Sequence, residues 1–250
     1  MISQQSHFSP AWPHGELRQI FSDIFFVTGT NKVRHENADI QTSRNMTIVR
    51  TDSALTLVNT VRLNDHGLRQ IDSLGTVRNI VRIGAFHDRD DGFYKYRYPH
   101  AKLWTLAGVS YESSSVKGLM ADQELAIGKL MPFPDCALFV FETSAQPECI
   151  LHIEREGGIL ISCDSIQNIT STDEYYSPET AKSFQDQGLI KPANISSLWL
   201  AATNTKAADF DRLLNSFTFH HLLTAHGEPL LNNAYEQLTQ TVRRVFAEGP

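Results

Sequence analysis

The ionisable residues that could do chemistry in this chain gather in three short stretches far apart in sequence. The first follows Thr76-Val-Arg-Asn-Ile-Val-Arg-Ile-Gly84, where Val77, Ile80, Val81 and Ile83 read as a strand covered on both faces. Beyond Gly84 come His87, Asp88, Arg89, Asp90 and Asp91, closed by Gly92. The second is Gly158-Ile-Leu-Ile-Ser-Cys-Asp164, and the third Leu223-Thr-Ala-His-Gly-Glu-Pro229. Loops at the carboxyl ends of buried strands are where ligand-binding and catalytic groups collect. The three stretches are therefore expected to meet at one site. Each residue also has an ordinary use: His87 in a solvated charged loop, Asp164 as a cap or turn former before Ser165, and His226 hydrogen-bonded to backbone.

The elements that must position these loops follow from periodicity. Asp23-Ile-Phe-Phe-Val-Thr28 and Met46-Thr-Ile-Val-Arg50 read as strands, with a turn expected at Thr28-Gly-Thr-Asn-Lys32. Asp52-Ser53 turns the chain into a further strand from Ala54 to Thr60. Leu68, Ile71 and Leu74 share one face of a helix over 66–74, capped by Asn64 or Asp65 and ended by Gly75. Strand, helix and strand from Leu55 to Ile83 imply a parallel crossover. A helix ended by Pro99, a strand at 101–106 and a short helix at 121–130 follow, inside a loop-rich segment 108–130. Strands at 137–142 and 148–154 precede a hairpin at Glu156-Gly-Gly158 leading to 159–163. Residues 165–196 carry no clear pattern. Helices at 196–202 and 206–214, a strand at 217–225 and a helix within 230–246 complete the chain. Residues 1–15, broken by Pro10, Pro13 and Gly15, read as a flexible leader, and 16–250 as a single domain.

Composition bounds the rest. A hydrophobic content of 41% with 10% aromatics supports a true core and excludes disorder. The net charge of −6 and the lack of a basic run exclude a nucleic-acid binder. No apolar stretch approaches the roughly 18 residues of a membrane span. The first residues do not form a signal peptide, so a cytoplasmic location is expected. Cys136, Cys149 and Cys163, an odd count with no C-x-x-C pair, read as reduced core thiols. Of the other histidines, His66 is expected on a helix surface, and His152, His220 and His221 away from the site. The run Phe93, Tyr94, Tyr96, Tyr98 is expected to be core.

In order and spacing these signals resemble the metallo-β-lactamase superfamily, from about Asp23 to Phe246. Its fold is a four-layer αββα sandwich of the α/β class. The resemblance rests on the hairpin through Thr60, the helix at 66–74, and the strand ending at Gly84. It also rests on Ile161-Ser-Cys-Asp164, where that family places a bridging aspartate, and on Thr224-Ala-His-Gly-Glu-Pro229, similar to its closing His-Gly-x-Pro. The first loop departs from the family's His-x-His-x-Asp-His. Ala85 falls on the first His, His87 on the second, Arg89 on the Asp and Asp90 on the third His; a His between the central motifs is also missing. The resemblance thus implies a divergent branch with a degenerate motif.

What the resemblance implies for the site is a metal set of His87, Asp90, Asp164 and His226, holding one zinc or iron ion, or none if the site is degenerate. Too few ligands remain for two metals. Asp90 or Asp91 would be the general base, and Arg89 would hold an anionic group of a small-molecule substrate. The implied function is a metal-dependent hydrolase of an ester, thioester, lactone or phosphoester. The alternative is a non-catalytic protein of the same fold that has lost its metal and serves as a binding or structural protein. A homo-oligomer is left open, and segments 108–130 and 165–196 are expected to shape the pocket.

Overall fold

The computed structural model describes residues 8–35, 38–111 and 116–246. Its first sheet opens with four antiparallel strands, β1 (Arg18–Phe21), β2 (Ile24–His35), β3 (Ala38–Thr51) and β4 (Ala54–Val58). Helix α1 (Asp65–Leu74) crosses over to β5 (Thr76–Val81), and α2 (Asp91–Arg97) to β6 (Lys102–Leu106). β7 (Gln123–Leu125) forms the edge, and β4 to β7 run parallel. The second sheet contains β8 (Cys136–Val140), β9 (Cys149–Ile153) and β10 (Ile159–Ser162). A long excursion follows, through β11 (Gln167–Ile169), α3 (Pro178–Asp186), β12 (Lys191–Asn194), α4 (Ser197–Thr203) and α5 (Ala207–Ser216). The chain returns as β13 (His221–Thr224), parallel to β10, and closes with α6 (Ala234–Phe246).

Period-two side-chain alternation makes the layers. Ile24 and Phe26 of β2 face the second sheet, whose Leu151, Ile153, Ile159 and Ile161 face back to form the central core. Phe25 and Val27, on the other face of β2, pack with Leu68 and Ile71 of α1 and Phe93 and Tyr94 of α2. Ile150 and Leu160 turn outward to Trp199, Phe210, Leu213 and Leu238 of the closing helices. The result is helix, sheet, sheet, helix, as expected from the sequence. α1 starts as expected, with Asn64 Oδ1 accepting the Gly67 N–H at 3.0 Å, a cap worth about 1 kcal/mol. A Cβ at Gly75 would lie 2.4 Å from Ser53 O, so only glycine ends that helix there.

Two expectations are corrected. No turn interrupts Thr28–Lys32: β2 pairs with β3 throughout, Thr28 opposite Asn45 and Lys32 opposite Gln41. Gly29 serves close approach instead of a turn, since a Cβ there would meet Val61 Cγ1 at 2.7 Å. The helix expected at 121–130 is edge strand β7, held by Asp122, whose carboxylate accepts the Leu103 N–H and the Lys95 ammonium, both at 2.7 Å. Of the expected leader, residues 1–7 lie outside the described residues, and 8–15 make contacts with the first sheet and its helices. Phe8 packs edge-on to Phe93, Gly15 donates to Thr28 O and Thr30 to Pro13 O, and His14 Nε2 accepts the Asn64 N–H.

Candidate metal centre

Two neighbouring parallel strands set the first half of the site. Ser162 of β10 pairs with Thr224 of β13, and the chain continues two residues beyond each to Asp164 and His226. Strand β3 clamps this end. Asn45 donates through Nδ2 to Thr224 O at 3.0 Å and Gly227 O at 2.6 Å, and its N–H donates to Ala225 O. Gly227 has φ +90°, and a Cβ there would lie 2.0 Å from Asn168 O, so the turn after His226 requires glycine.

The loop carrying His87 is fastened to the second sheet. Gly84 bridges to Glu148, and Cys149 N–H donates to Ile83 O at 2.9 Å. A Cβ at Gly84 would meet Cys163 Sγ at 2.7 Å, so its glycine lets the two loops close. Cys163 itself is buried in the central core, as its apolar neighbours predict.

These supports bring three side chains to a near-equilateral triangle. His87 Nε2 and His226 Nε2 each lie 3.2 Å from Asp164 Oδ1, and 3.2 Å from one another. A tetrahedral zinc with bonds of about 2.0–2.1 Å spaces its nitrogen and oxygen donors roughly 3.3–3.4 Å apart, so the triangle matches one face of that polyhedron. His226 Nδ1 sits 2.9 Å from Ser43 O, an acceptor only, so Nδ1 carries the proton and the Nε2 lone pair faces the cluster. All three are buried or nearly so, and among the described residues no Lys or Arg pairs with Asp164. Burial, opposed by Asp164, pushes the His87 imidazole down to about 4. Burial also drives the Asp164 carboxyl up, but His87 and His226 outweigh it and hold it well below the usual carboxylate range. Near neutrality His87 is thus a neutral imidazole and Asp164 a carboxylate, the protonation states that metal binding requires of those two groups.

The structure does not bring Asp90, Asp91 or Arg89 into this triangle. Asp90 Oδ2 accepts from the buried Arg44 guanidinium at 2.9 Å and the Arg62 N–H at 3.0 Å. Asp91 Oδ1 accepts from Thr60 Oγ1 at 2.6 Å, and burial pushes its carboxyl up to about 6. Arg89 lies over the Trp12 ring at 4.5 Å and donates to Lys32 O and Asn31 Oδ1. The other histidines lie elsewhere: His152 is bonded to Thr218 O, His221 to Glu156 O and Asn232 N–H, and His66 pairs with Glu16 on the surface. Phe93 and Tyr94 are core, as expected, whereas Tyr96 is exposed.

Three contributors were not found from sequence. Arg44, which also donates to Thr60 O, belongs to a run Thr42–Asn45 that is buried although polar. Polar residues preceding the apolar Met46–Val49 stretch were the available signal. Glu148 is buried beneath the site, its oxygens accepting Ser165 N–H at 2.5 Å and Trp199 Nε1–H at 2.8 Å. Burial, aided by the Asp164 charge, raises its carboxyl to about 8. A glutamate at the head of the apolar Cys149–Ile153 strand was the clue there. Asn45, the clamp on the His226 loop, carried no pattern of its own.

No protein-family profile and no curated relative matches the chain. Solved structures do. The metallo-β-lactamase FIM-1 from Pseudomonas aeruginosa, in its mono-zinc form, is 16% identical over 94% of this chain and 98% of that one, with a TM-score of 0.60. A metallo-β-lactamase from Hirschia baltica is also 16% identical, covering 92% and 98%, with a TM-score of 0.57. VMB-1 is 10% identical over 91% and 94%, with a TM-score of 0.62. At such identities the likeness is one of backbone, and it agrees with the layers and strand order built above: the chain has the metallo-β-lactamase fold.

Proposed function

We propose that the protein is a metal-dependent hydrolase with a single-ion site formed by His87, Asp164 and His226, acting on an ester, thioester, lactone or phosphoester. The observation that carries this reading is the 3.2 Å triangle of two Nε2 atoms and one Oδ1. A bound zinc or iron ion would polarise the carbonyl or phosphoryl group and lower the pKa of water to near neutrality. The protein's own part is to hold the imidazoles in place: Ser43 O fixes the tautomer of His226, and the Gly84–Glu148 bridge fixes the His87 loop. Asp164 borders a cavity of about 260 Å³ and is the carboxylate that a water entering there meets. In the overall reaction water oxygen bonds to the acyl carbon or phosphorus, the bond to the leaving oxygen or sulfur breaks, and the leaving atom takes the proton. Asp90 and Asp91 support the loop in this reading.

Metal analysis of protein purified without added metal tests it. Near-stoichiometric zinc or iron is expected, and His226→Ala should lose it together with hydrolysis. Protein that takes up neither ion when titrated, and turns over no ester, overturns it in favour of the non-catalytic alternative.

A further inference from the structure

We infer that the cavity beside Asp164 receives an uncharged apolar group of the substrate, an acyl chain or aryl ring attached to the bond that is cleaved. The cavity is walled by Phe86, Phe184, Leu189, Leu198 and Trp199, and among the described residues Asp164 is the only charged one lining it. Phe86 immediately precedes His87, so the apolar wall begins one residue from the triangle. The rest comes from α3, α4 and the segment between them. Phe86 is 49% exposed and Leu198 54%, two large apolar side chains open at the same cavity. Single exposed apolar residues are ordinary, but a concave group of them meeting a buried carboxylate is the form of a ligand site.

Charge decides the class. Among the described residues no Lys or Arg lines the cavity, and behind Trp199 sits a second buried carboxyl, Glu148. A carboxylate or phosphate placed there would meet Asp164 with no counter-charge, whereas an apolar group brings no like charge and buries its surface against the apolar wall. Size limits the group: a cavity of about 150 Å³ holds a benzene ring, so about 260 Å³ suits a short alkyl chain or a single aryl ring. The inference rests on the proposed hydrolase for its chemistry and on the cavity alone for its recognition.

Two measurements separate these. In the first, kcat/KM of the zinc-loaded protein is measured for p-nitrophenyl esters with acyl chains from two to eight carbons. It should rise about threefold per methylene until the cavity is full. An ester of equal length ending in a carboxylate should fall at least about tenfold below its neutral counterpart. In the second, binding of 2-octanone, which has no bond to hydrolyse, is followed by saturation-transfer NMR. Wild type and His226→Ala should bind it; Ala202→Trp and Leu198→Asp, both at exposed positions of α4, should not while keeping their metal. A flat or falling chain-length profile, a preference for the carboxylate ester, or ketone binding unchanged in both α4 variants overturns the inference. Ketone binding lost only in the α4 variants, with no ester turned over, overturns the hydrolase reading and supports the cavity.

Discussion

The two ends of one short loop treat charge in opposite ways. At its start, His87 turns toward Asp164 and His226, where a buried carboxylate meets two imidazoles and, among the described residues, no Lys or Arg. At its end, Asp90 turns to Arg44 at 2.9 Å, with both side chains almost wholly buried. The carboxylate at the second place already has its cation, supplied by the chain. The one at the first is met by two imidazoles instead. In the proposed reading an incoming cation would complete the first group, whereas the second is self-sufficient structure. Acidic residues in a loop are therefore not interchangeable as ligands: which of them is free depends on where the buried arginines lie.

The strongest way to break this contrast is to exchange the roles. Asp164→Asn should lower zinc affinity by more than about a hundredfold, beyond the usual effect of a residue behind the ligands, while leaving the apo protein about as stable. Equilibrium dialysis and thermal melts would read both, and an unchanged zinc affinity would remove Asp164 from the site. Asp90→Ala should do the reverse: metal content holds, but stability falls by about 3–5 kcal/mol because Arg44 is left buried and unpaired. Urea unfolding measures it, and a loss of metal with little change in stability would contradict the division.

Acid should act on the two ends with opposite sign. His87 has its folded pKa depressed to about 4, so from about pH 6.5 downward the unfolded chain takes up a proton there that the folded chain refuses, and stability falls. Asp91 has its folded pKa raised to about 6, so below that pH the folded chain takes up a proton before the unfolded one, and stability rises down to about pH 4. Melting profiles between pH 4 and 6 should therefore tilt one way for His87→Ala and the other for Asp91→Asn, each relative to wild type. The expected differences are on the order of 1–3 kcal/mol. Profiles that shift in the same direction would contradict these assignments. The smallest effect belongs to Arg89→Ala, which forfeits the stack on Trp12 and its bonds to Lys32 O and Asn31 Oδ1. It should cost about 1 kcal/mol in a thermal melt and leave zinc affinity unchanged; a drop in affinity would place Arg89 in the site.

The sequence determined the layers and the order of the elements. Apolar runs at Ile24–Val27 and Ile159–Ile161 marked strands, the spacing of Leu68 and Ile71 with the cap at Asn64 set α1, and apolar runs ending at Gly84, Asp164 and His226 marked the loops that converge. These are local signals, fixed by helix and strand periodicity and by backbone limits at a few glycines. Tertiary structure alone decided which charged groups meet. Whether Asp90 faces a metal or a guanidinium depends on Arg44, 46 residues earlier and brought beside it by the register of β3. The continuity of β2 through Thr28–Lys32 was likewise a matter of pairing: a ladder of cross-strand bonds outweighed the local turn preference of Gly-Thr-Asn. Periodicity along a chain says which way a side chain points; it carries no record of the partner that a distant strand brings to meet it.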